Sequence, residues 1–527
     1  VSATRTAHVI PLPPPYQGQF DRYPVAVMQS PYCEQLQNFN IQDGVVKIRN
    51  GDLLFCTIST TTGRTARNLS VYADTTLIAV EIDPTLGAVW YDISTGTASS
   101  VYTNAGVLTT GSIFTTEFGG CIYYWGDGEL SAAAIYGVRF DGTSWTTAPY
   151  TIPASFVPFG GTVHRNRHYL LGRASAKYCY SGIDAISGAL TQVDLATVFQ
   201  RKGNLIAIRS LSISDSGISN SLFCVVNSSG EVLFYEGAYP ASSDWRLVNR
   251  SIISKPLDYG SIIDVRGDLL VLTEAGIISM KDLFLKGSQL ALEESISSPI
   301  RNRWRQIFKD LAPLSGITPT NSIRGLWHSR DGKIQVQIPI YIARPDSTSG
   351  STQLASFFLV YDIDSKGWAE HVGNDLNGSN IYSSVYFNGD VYFSNAYQAK
   401  IYKKEGKSDS RQDIPDGHSS FTYPASIKFA PFPISTTAVN RLVGVEVIAK
   451  GNWGKFSSIR LIADMGRTTT GGVTLSDFID TTSVFKKLVS VGVEGTYIQL
   501  YLQINQLLVG AFELYGVNAI FESGGIG

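Results

Sequence analysis

His164 and His168, four residues apart in Val163-His-Arg-Asn-Arg-His-Tyr-Leu170, come nearest in type and spacing to a metal-binding pair. On a helix that spacing would put both rings on one face. The β-branched and aromatic neighbours make this segment a strand and turn instead, and there four residues separate the rings by about 13 Å, too far to share an ion. Both are read as packed or surface histidines. Arg266-Gly267-Asp268 has the form of an adhesion tripeptide, but it lies between Ile262-Ile-Asp-Val265 and Leu269-Leu-Val-Leu272. That setting predicts a hairpin turn in which Gly supplies a positive φ. The chain contains no Gly-x-Ser-x-Gly elbow, no phosphate-binding loop, no Gly-x-Gly-x-x-Gly after a strand and no Cys-x-x-Cys. Carboxylates abound, but a sequence cannot pair them at the separations that glycoside hydrolysis requires. The expectation is a chain with no catalytic, cofactor-binding or metal-ligating residues, needing no cofactor and not an enzyme.

The elements that would position any site are strands. Only 16% of the 527 residues are charged, while Gly (50), Tyr (27) and Phe (25) are plentiful, the composition of strands and turns. With 42 Lys and Arg against 44 Asp and Glu, the net charge of −2 excludes tight, charge-driven nucleic-acid binding by the whole surface. No apolar run reaches the roughly 18 to 20 residues that span a bilayer, and the first residues lack a signal-peptide core, so a soluble chain made in a cytoplasm, without membrane insertion, is expected. Five cysteines, Cys33, Cys56, Cys121, Cys179 and Cys224, are odd in number and sit among apolar neighbours, which predicts buried free thiols.

Residues 45–405 form a succession of short apolar runs divided by turn dipeptides such as Asp127-Gly128, Asp141-Gly142, Asp331-Gly332, Asn377-Gly378 and Asn388-Gly389. Val89-Trp-Tyr-Asp-Ile-Ser-Thr-Gly96, Val138-Arg-Phe-Asp-Gly-Thr-Ser-Trp145 and Val360-Tyr-Asp-Ile-Asp-Ser-Lys-Gly-Trp368 echo one another: an apolar strand end, an aromatic-Asp pair and a polar turn, the last two closing on Trp. Such an echo is the outer hairpin of a propeller blade, and it predicts that Trp145 and Trp368 occupy equivalent places. Ahead of it, residues 1–44 form an extended arm and lead-in segment. Its prolines and the aromatics Tyr16, Phe20 and Tyr23 make it either a strap over its own domain or an arm that docks on another subunit. Ser298–Ala312 breaks the pattern as an amphipathic helix, with a basic stripe of Arg301, Arg305 and Lys309 that is either a solvated face or a contact with an acidic partner or DNA, and with Trp304 and Phe308 on the opposite side. A polar linker then leads, within 406–527, to alternating strands that fit a C-terminal β-sandwich. The fold class is therefore all-β: a β-propeller with an extended N-terminal arm, a C-terminal β-sandwich and one inserted amphipathic helix.

The segment Pro31-Tyr-Cys-Glu-Gln-Leu-Gln-Asn-Phe-Asn-Ile-Gln-Asp-Gly-Val-Val-Lys-Ile-Arg-Asn-Gly51 resembles the lead-in to the propeller of tail proteins from short-tailed bacteriophages. Gly161–Arg173, Ser229–Pro240 with Trp245, and Gly267–Ile278 look like successive blades of a tail-nozzle or tail-hub propeller, and Thr496–Leu500 with Phe512–Gly516 is similar to the sandwich that often follows. The resemblance implies a structural virion protein, assembled in the host cytoplasm as a homo-oligomer, a hexameric ring. That ring would meet a portal or adaptor protein and tail fibres or a tail tip, retain packaged double-stranded DNA and let it pass on ejection. No catalytic residue carries over. A charge-poor wall suits a conduit, because each phosphate it neutralised would hold the DNA back. The alternative is a receptor- or glycan-binding propeller of a virion or cell surface, extending to a glycan hydrolase. Ser212-Ile-Ser-Asp-Ser-Gly217 approaches the Asp-box of sialidase propellers, though its Asp is one place late and no Trp follows. A glycan reader would gather Trp and Tyr in one loop-lined groove, whereas a ring subunit would spread them over two opposite faces.

Overall fold

The computed structural model describes residues 7–22, 28, 30–49, 52–61, 64–83, 87–104, 113–126, 137–215, 218–257, 262–311, 324–328, 332–343, 352–372, 381–395, 399–405, 411–412, 421–422, 425–433, 440–453, 458–463, 468–469, 473–474, 478–495, 497–504 and 512–522. Strands rich in β-branched and aromatic residues pair as antiparallel sheets, and seven of these sheets are the blades of a propeller. Blade 1 comprises Thr65–Tyr72, Thr76–Asp83, Gly87–Asp92 and Ser99–Asn104; blade 2, Ile113–Phe118, Cys121–Gly126, Gly137–Phe140 and Trp145–Thr147. Blade 3 comprises Pro158–His164, Arg167–Gly172, Lys177–Tyr180 and Thr191–Asp194; blade 4, Leu205–Asp215, Ile218–Asn227, Glu231–Glu236 and Arg246–Ile252. Blade 5 has three strands, Ile262–Val265, Asp268–Thr273 and Gly276–Ser279; blade 6 has Arg324–His328, Lys333–Ala343, Thr352–Asp362 and Gly367–Val372. Blade 7 takes Ile381–Phe387, Asp390–Asn395 and Lys400–Lys403 from late in the propeller and its outer strand, Leu53–Thr57, from before blade 1. That strand closes the ring.

The first two strands of a blade are joined by tight turns. Gly119-Gly120, Arg165-Asn166, Arg266-Gly267 and Asn388-Gly389 each place two consecutive residues at positive φ between directly paired strand ends, the twist that a two-residue hairpin needs. Arg266-Gly267-Asp268 is thus a turn, and Asp268 is drawn inward, accepting from the Ser279 hydroxyl and the Lys281 amide. The third and fourth strands are joined by Asp-capped turns: Asp141 accepts from the amides of Thr143 and Ser144, and Asp362 from the amide and hydroxyl of Ser365. Trp145 stands opposite Phe140, and Trp368 opposite Tyr361, so the two tryptophans hold equivalent places on the outer strands of blades 2 and 6.

Seven apolar clusters fill the seven spaces between consecutive blades. Between blades 1 and 2, Trp90 packs with Tyr124 and Trp145; between 3 and 4, Tyr169 and Tyr178 pack with Phe223. The space between blades 7 and 1 holds Cys56, Leu69 and Tyr392. Two short helices, α1 (Met280–Lys286) and α2 (Ser288–Glu293), take the place of a fourth strand in blade 5 and send Met280 and Leu283 into its contact with blade 4. The longer α3 (Arg301–Leu311) buries Trp304 and Ile307 between blades 5 and 6, where the indole Nε1 of Trp304 donates to Thr273 O at 2.9 Å. All five cysteines are free and buried.

The sandwich forms from both ends of the chain. One sheet orders Phe39–Gln42, Val45–Ile48, Glu513–Glu522, Asn440–Trp453 and Phe478–Gly495, with Ala7–Leu12 also pairing along Glu513–Glu522. The facing sheet, in which Cys33–Gln37, Ala425–Phe429, Tyr497–Ile504 and Ser458–Ala463 are neighbours, continues into blade 6 through a parallel bridge between Gln37 and Glu370. Their shared core includes Phe39, Val46, Ile427, Val447, Leu461 and Leu500. The segment expected to be an arm contributes the strands Ala7–Leu12, Cys33–Gln37 and Phe39–Gln42 and is built into its own chain. Between its strands it crosses blade 6, where Gln19 N donates to Trp368 O at 2.9 Å, and it reaches α3, where Asp21 accepts from the Asn302 amide at 2.9 Å and from the Arg303 amide. Asp21 thereby caps a helix some 280 residues away in sequence.

A polar cleft where propeller meets sandwich

Five stretches of chain converge on the joint. The hairpin Phe39–Ile48 turns at Asp43 and Gly44, both at positive φ, which throws its tip clear of the sheet. Beside it stand Tyr16 and Gln17 of the crossing segment, Lys333 at the start of a blade 6 strand, the capped turn of Asp362, Asp364 and Ser365, and Glu405 just past blade 7. Together they enclose a cleft of about 750 Å³ whose other walls are Asn40, Ile41, Gln42, Lys47 and Ile48.

Beneath the cleft lies a buried charged network. Arg49, from the strand end that follows the hairpin, donates from Nε to Asn38 Oδ1 at 3.1 Å and pairs with Asp52 at 3.4 Å. Asp52 also accepts from the Glu405 amide at 3.0 Å, and Glu405 Oε2 accepts from Asn40 Nδ2 at 2.7 Å. His371 Nε2 lies 3.1 Å from Phe39 O, which makes Nε2 the protonated nitrogen; Nδ1 lies 3.9 Å from Glu405 Oε1. Burial, reinforced by the charges of Lys404, Arg49 and Lys333, holds His371 well below the usual histidine range, so it is neutral. Lys404 is buried against the Phe358 ring and donates to Gln335 Oε1 at 2.9 Å. Burial pulls its ammonium down to about 7, only partly offset by Glu405 and Asp52.

The cleft presents two kinds of carboxylate. Asp362 and Glu405 are engaged in hydrogen bonds of the scaffold, whereas Asp43 and Asp364 are exposed at its mouth with no ionic partner among the described residues. Lys333 reaches Asn40 Oδ1 at 3.5 Å, and Lys47 pairs with Glu513 at 3.3 Å. Chemically the cleft offers donors and acceptors of both signs and one aromatic ring, Tyr16, and no group of His, Cys, Asp and Glu among the described residues could hold a metal ion.

The residues singled out in the sequence lie elsewhere, Tyr16 excepted. Tyr16 lines the cleft and packs on the sandwich core, Phe20 rests on Tyr32 with ring centroids 4.7 Å apart, and Tyr23 is outside the described residues. Both described aromatics thus pack within their own chain. Of the basic stripe, Arg301 is half-buried and Arg305 exposed, neither with an ion-pair partner among the described residues; the side chains of Phe308 and Lys309 lie outside them. Arg303, between the two, pairs with Glu370 at 2.6 Å and pins α3 to the joint. His164 bonds Ser210 at 2.9 Å and His168 bonds Tyr150 at 3.2 Å, each in a different blade contact, and burial lowers them to about 4 and about 3. The turns at 127–128 and 377–378 and most of the linker, 406–410 and 413–420, are outside the described residues.

No family model and no curated protein matches the sequence. The solved structures similar to it are β-propeller proteins. YCF48 from Cyanidioschyzon merolae is 10% identical over 66% of this chain and 97% of its own, with a TM-score of 0.37. An exo-beta-1,3-galactanase from Phanerochaete chrysosporium is 10% identical over 90% of this chain and all of its own, TM-score 0.26, and Raptor from Chaetomium thermophilum is 10% identical over 70% of this chain and 29% of its own, TM-score 0.35. The expectation that the chain is not an enzyme does not stand: a glycoside hydrolase, the galactanase, is among the similar structures, with a likeness of fold alone. The physical reason is that a glycosidase draws its two carboxylates from separate strands, so the absence of short catalytic motifs does not bear on it. Among the described residues the aromatics follow neither arrangement foreseen: Trp90, Trp125, Trp304 and Trp368 are fully buried between blades, and the exposed aromatics are Tyr497 and Tyr515 of the sandwich.

Proposed function

We propose that this chain is a binding propeller that takes a polar, hydroxyl-rich ligand, of the kind a surface glycan presents, in the cleft at its propeller–sandwich joint. The observation that carries the reading is the composition of that cleft. Sites for drug-like molecules are mostly apolar, whereas this one, of comparable size, is walled by Asn40, Gln17, Gln42, two unengaged carboxylates, two lysines and one tyrosine ring. Planar amides and carboxylates accept paired hydroxyls, and a phenol ring covers the apolar face of a sugar. Titration of the chain against an array of oligosaccharides tests it. Binding that is lost in Asp364→Ala and Asn40→Ala supports the reading; an array without binding removes it. Release of reducing ends by the same samples reports whether recognition leads to hydrolysis.

A second reading keeps the tail-nozzle resemblance, and the α3 surface favours it. Arg301 and Arg305 stand unpaired on a helix held rigidly by Trp304 and Arg303. As a ring subunit, the protein would offer this surface to an acidic neighbour or to passing DNA. The mass of the purified assembly, alone and on a portal ring, decides for or against a ring. Replacing both arginines with Gln leaves the melting temperature unchanged and weakens attachment or DNA retention; unaltered particles would make the stripe a solvated face.

A further inference from the structure

At the joint a lysine, an asparagine and a glutamate from three separate stretches of chain meet. Asn40 lies in the sandwich hairpin between the buried Phe39 and Ile41, and Lys333 begins the second strand of blade 6, just ahead of the buried Ile334. Lys333 Nζ is 3.5 Å from Asn40 Oδ1, and on the other side of the same amide Asn40 Nδ2 donates to Glu405 Oε2 at 2.7 Å. Asp362, Asp364 and Glu405 line the same cleft, yet Lys333 forms no ion pair among the described residues; its amine is directed at the amide. A carboxamide held between a primary amine and a carboxylate has the parts for amide exchange: a nucleophile, an electrophilic carbon and a group that carries the proton. Paired strands hold Asn40 and Lys333 in place, which is the positioning that such a reaction needs.

We propose that Lys333 and Asn40 become joined by an intramolecular isopeptide bond, with Glu405 as the acid–base group. The Lys333 Nζ attacks Asn40 Cγ; the Nζ–Cγ bond forms and the Cγ–Nδ2 bond breaks. Glu405, already bonded to Nδ2, delivers to it the proton that the amine gives up, so the amide nitrogen leaves as ammonium and carries away the positive charge of Lys333. No oxidant and no second substrate is required. The bond ties the sandwich to blade 6, where the continuous sheet crosses only through Gln37 and Glu370. It leaves the Asn40 carbonyl in the cleft, so it is compatible with a ligand there and does not depend on one.

Intact mass spectrometry of the purified full chain, followed by peptide mapping, tests this. The expected result is a chain lighter than its sequence by one ammonia, together with a branched peptide that joins the segments containing Asn40 and Lys333. Lys333→Met, Asn40→Ala and Glu405→Gln should each abolish the branched peptide and the loss of ammonia. The peptide map of the unaltered chain needs no variant, so the test holds even where a substitution impairs folding. An unaltered chain at its full sequence mass overturns the proposal. So does a loss of ammonia without the branched peptide, which a succinimide at Asn388-Gly389 would produce.

Discussion

The spaces between blades and the joint between propeller and sandwich solve the same packing problem by opposite means. Between blades the contacts are largely aromatic: His168, which burial keeps neutral, sits among Phe118, Tyr123 and Trp125, and burial raises the Tyr123 phenol to about 12. At the joint, Arg49, Asp52, Lys404 and Glu405 interlock, and the continuous sheet crosses at a single residue pair, Gln37 and Glu370. Dry contacts contribute stability in proportion to area, whereas buried ion pairs contribute little net stability but penalise any other geometry. The dry contacts thus contribute stability, and the ionic network of the joint fixes an orientation.

The comparison breaks most visibly with Trp304→Ala. Removing a fully buried indole that fills the contact of blades 5 and 6 should cost about 3–5 kcal/mol, read by denaturant unfolding; a loss under 1 kcal/mol would show that the blade contacts do not dominate. Next comes Arg49→Ala, which removes the guanidinium that pairs with buried Asp52 and should cost about 3–5 kcal/mol at most. The double replacement Arg49→Met with Asp52→Leu should recover most of that loss while loosening the joint. Recovery of stability with faster proteolysis at the replaced positions, Arg49→Met or Asp52→Leu, is the outcome that sharpens the distinction.

Lys404 gives the pH test. Its folded value near 7 lies below the ordinary 10.5, so the unfolded chain holds the proton more tightly. The resulting destabilisation is fully present below about pH 7 and is relieved as pH rises from there toward 10.5. Stability of the native chain should therefore climb across this window, and Lys404→Met should flatten the climb. The smallest effect belongs to Asp21→Ala, which removes the borrowed cap of α3 and should cost about 1 kcal/mol.

Much of this was legible in the chain. Turn dipeptides and the aromatic-Asp-Trp echo place blades 2 and 6 correctly, because hairpin geometry and outer-strand packing are local and leave local signatures. The amphipathic helix and the buried thiols were legible for the same reason. The prolines and aromatics of residues 7–22 marked an extended segment but not its strand, since the partner that pairs with Ala7–Leu12 is Glu513–Glu522, far along the sequence. Strand identity there is decided by pairing, not by propensity. The cleft was illegible too, apart from Tyr16. Its walls come from near residues 16, 40, 333, 362 and 405, which nothing in a linear pattern brings together.

The strand Leu53–Thr57 closes blade 7, and Glu513–Glu522 completes the sheet that holds Ala7–Leu12. Both circuits wait for chain made hundreds of residues later. A nascent chain therefore carries Ala7–Leu12 and Leu53–Thr57 without their partners while blades 1 to 6 take shape. Pairing across so long a sequence separation is slow, because the loop must close before any contact rewards it. The early segment's prolines, Pro11, Pro13, Pro14 and Pro15, are suited to that interval: each lacks an amide donor, so strands of neighbouring nascent chains gain little by pairing with it.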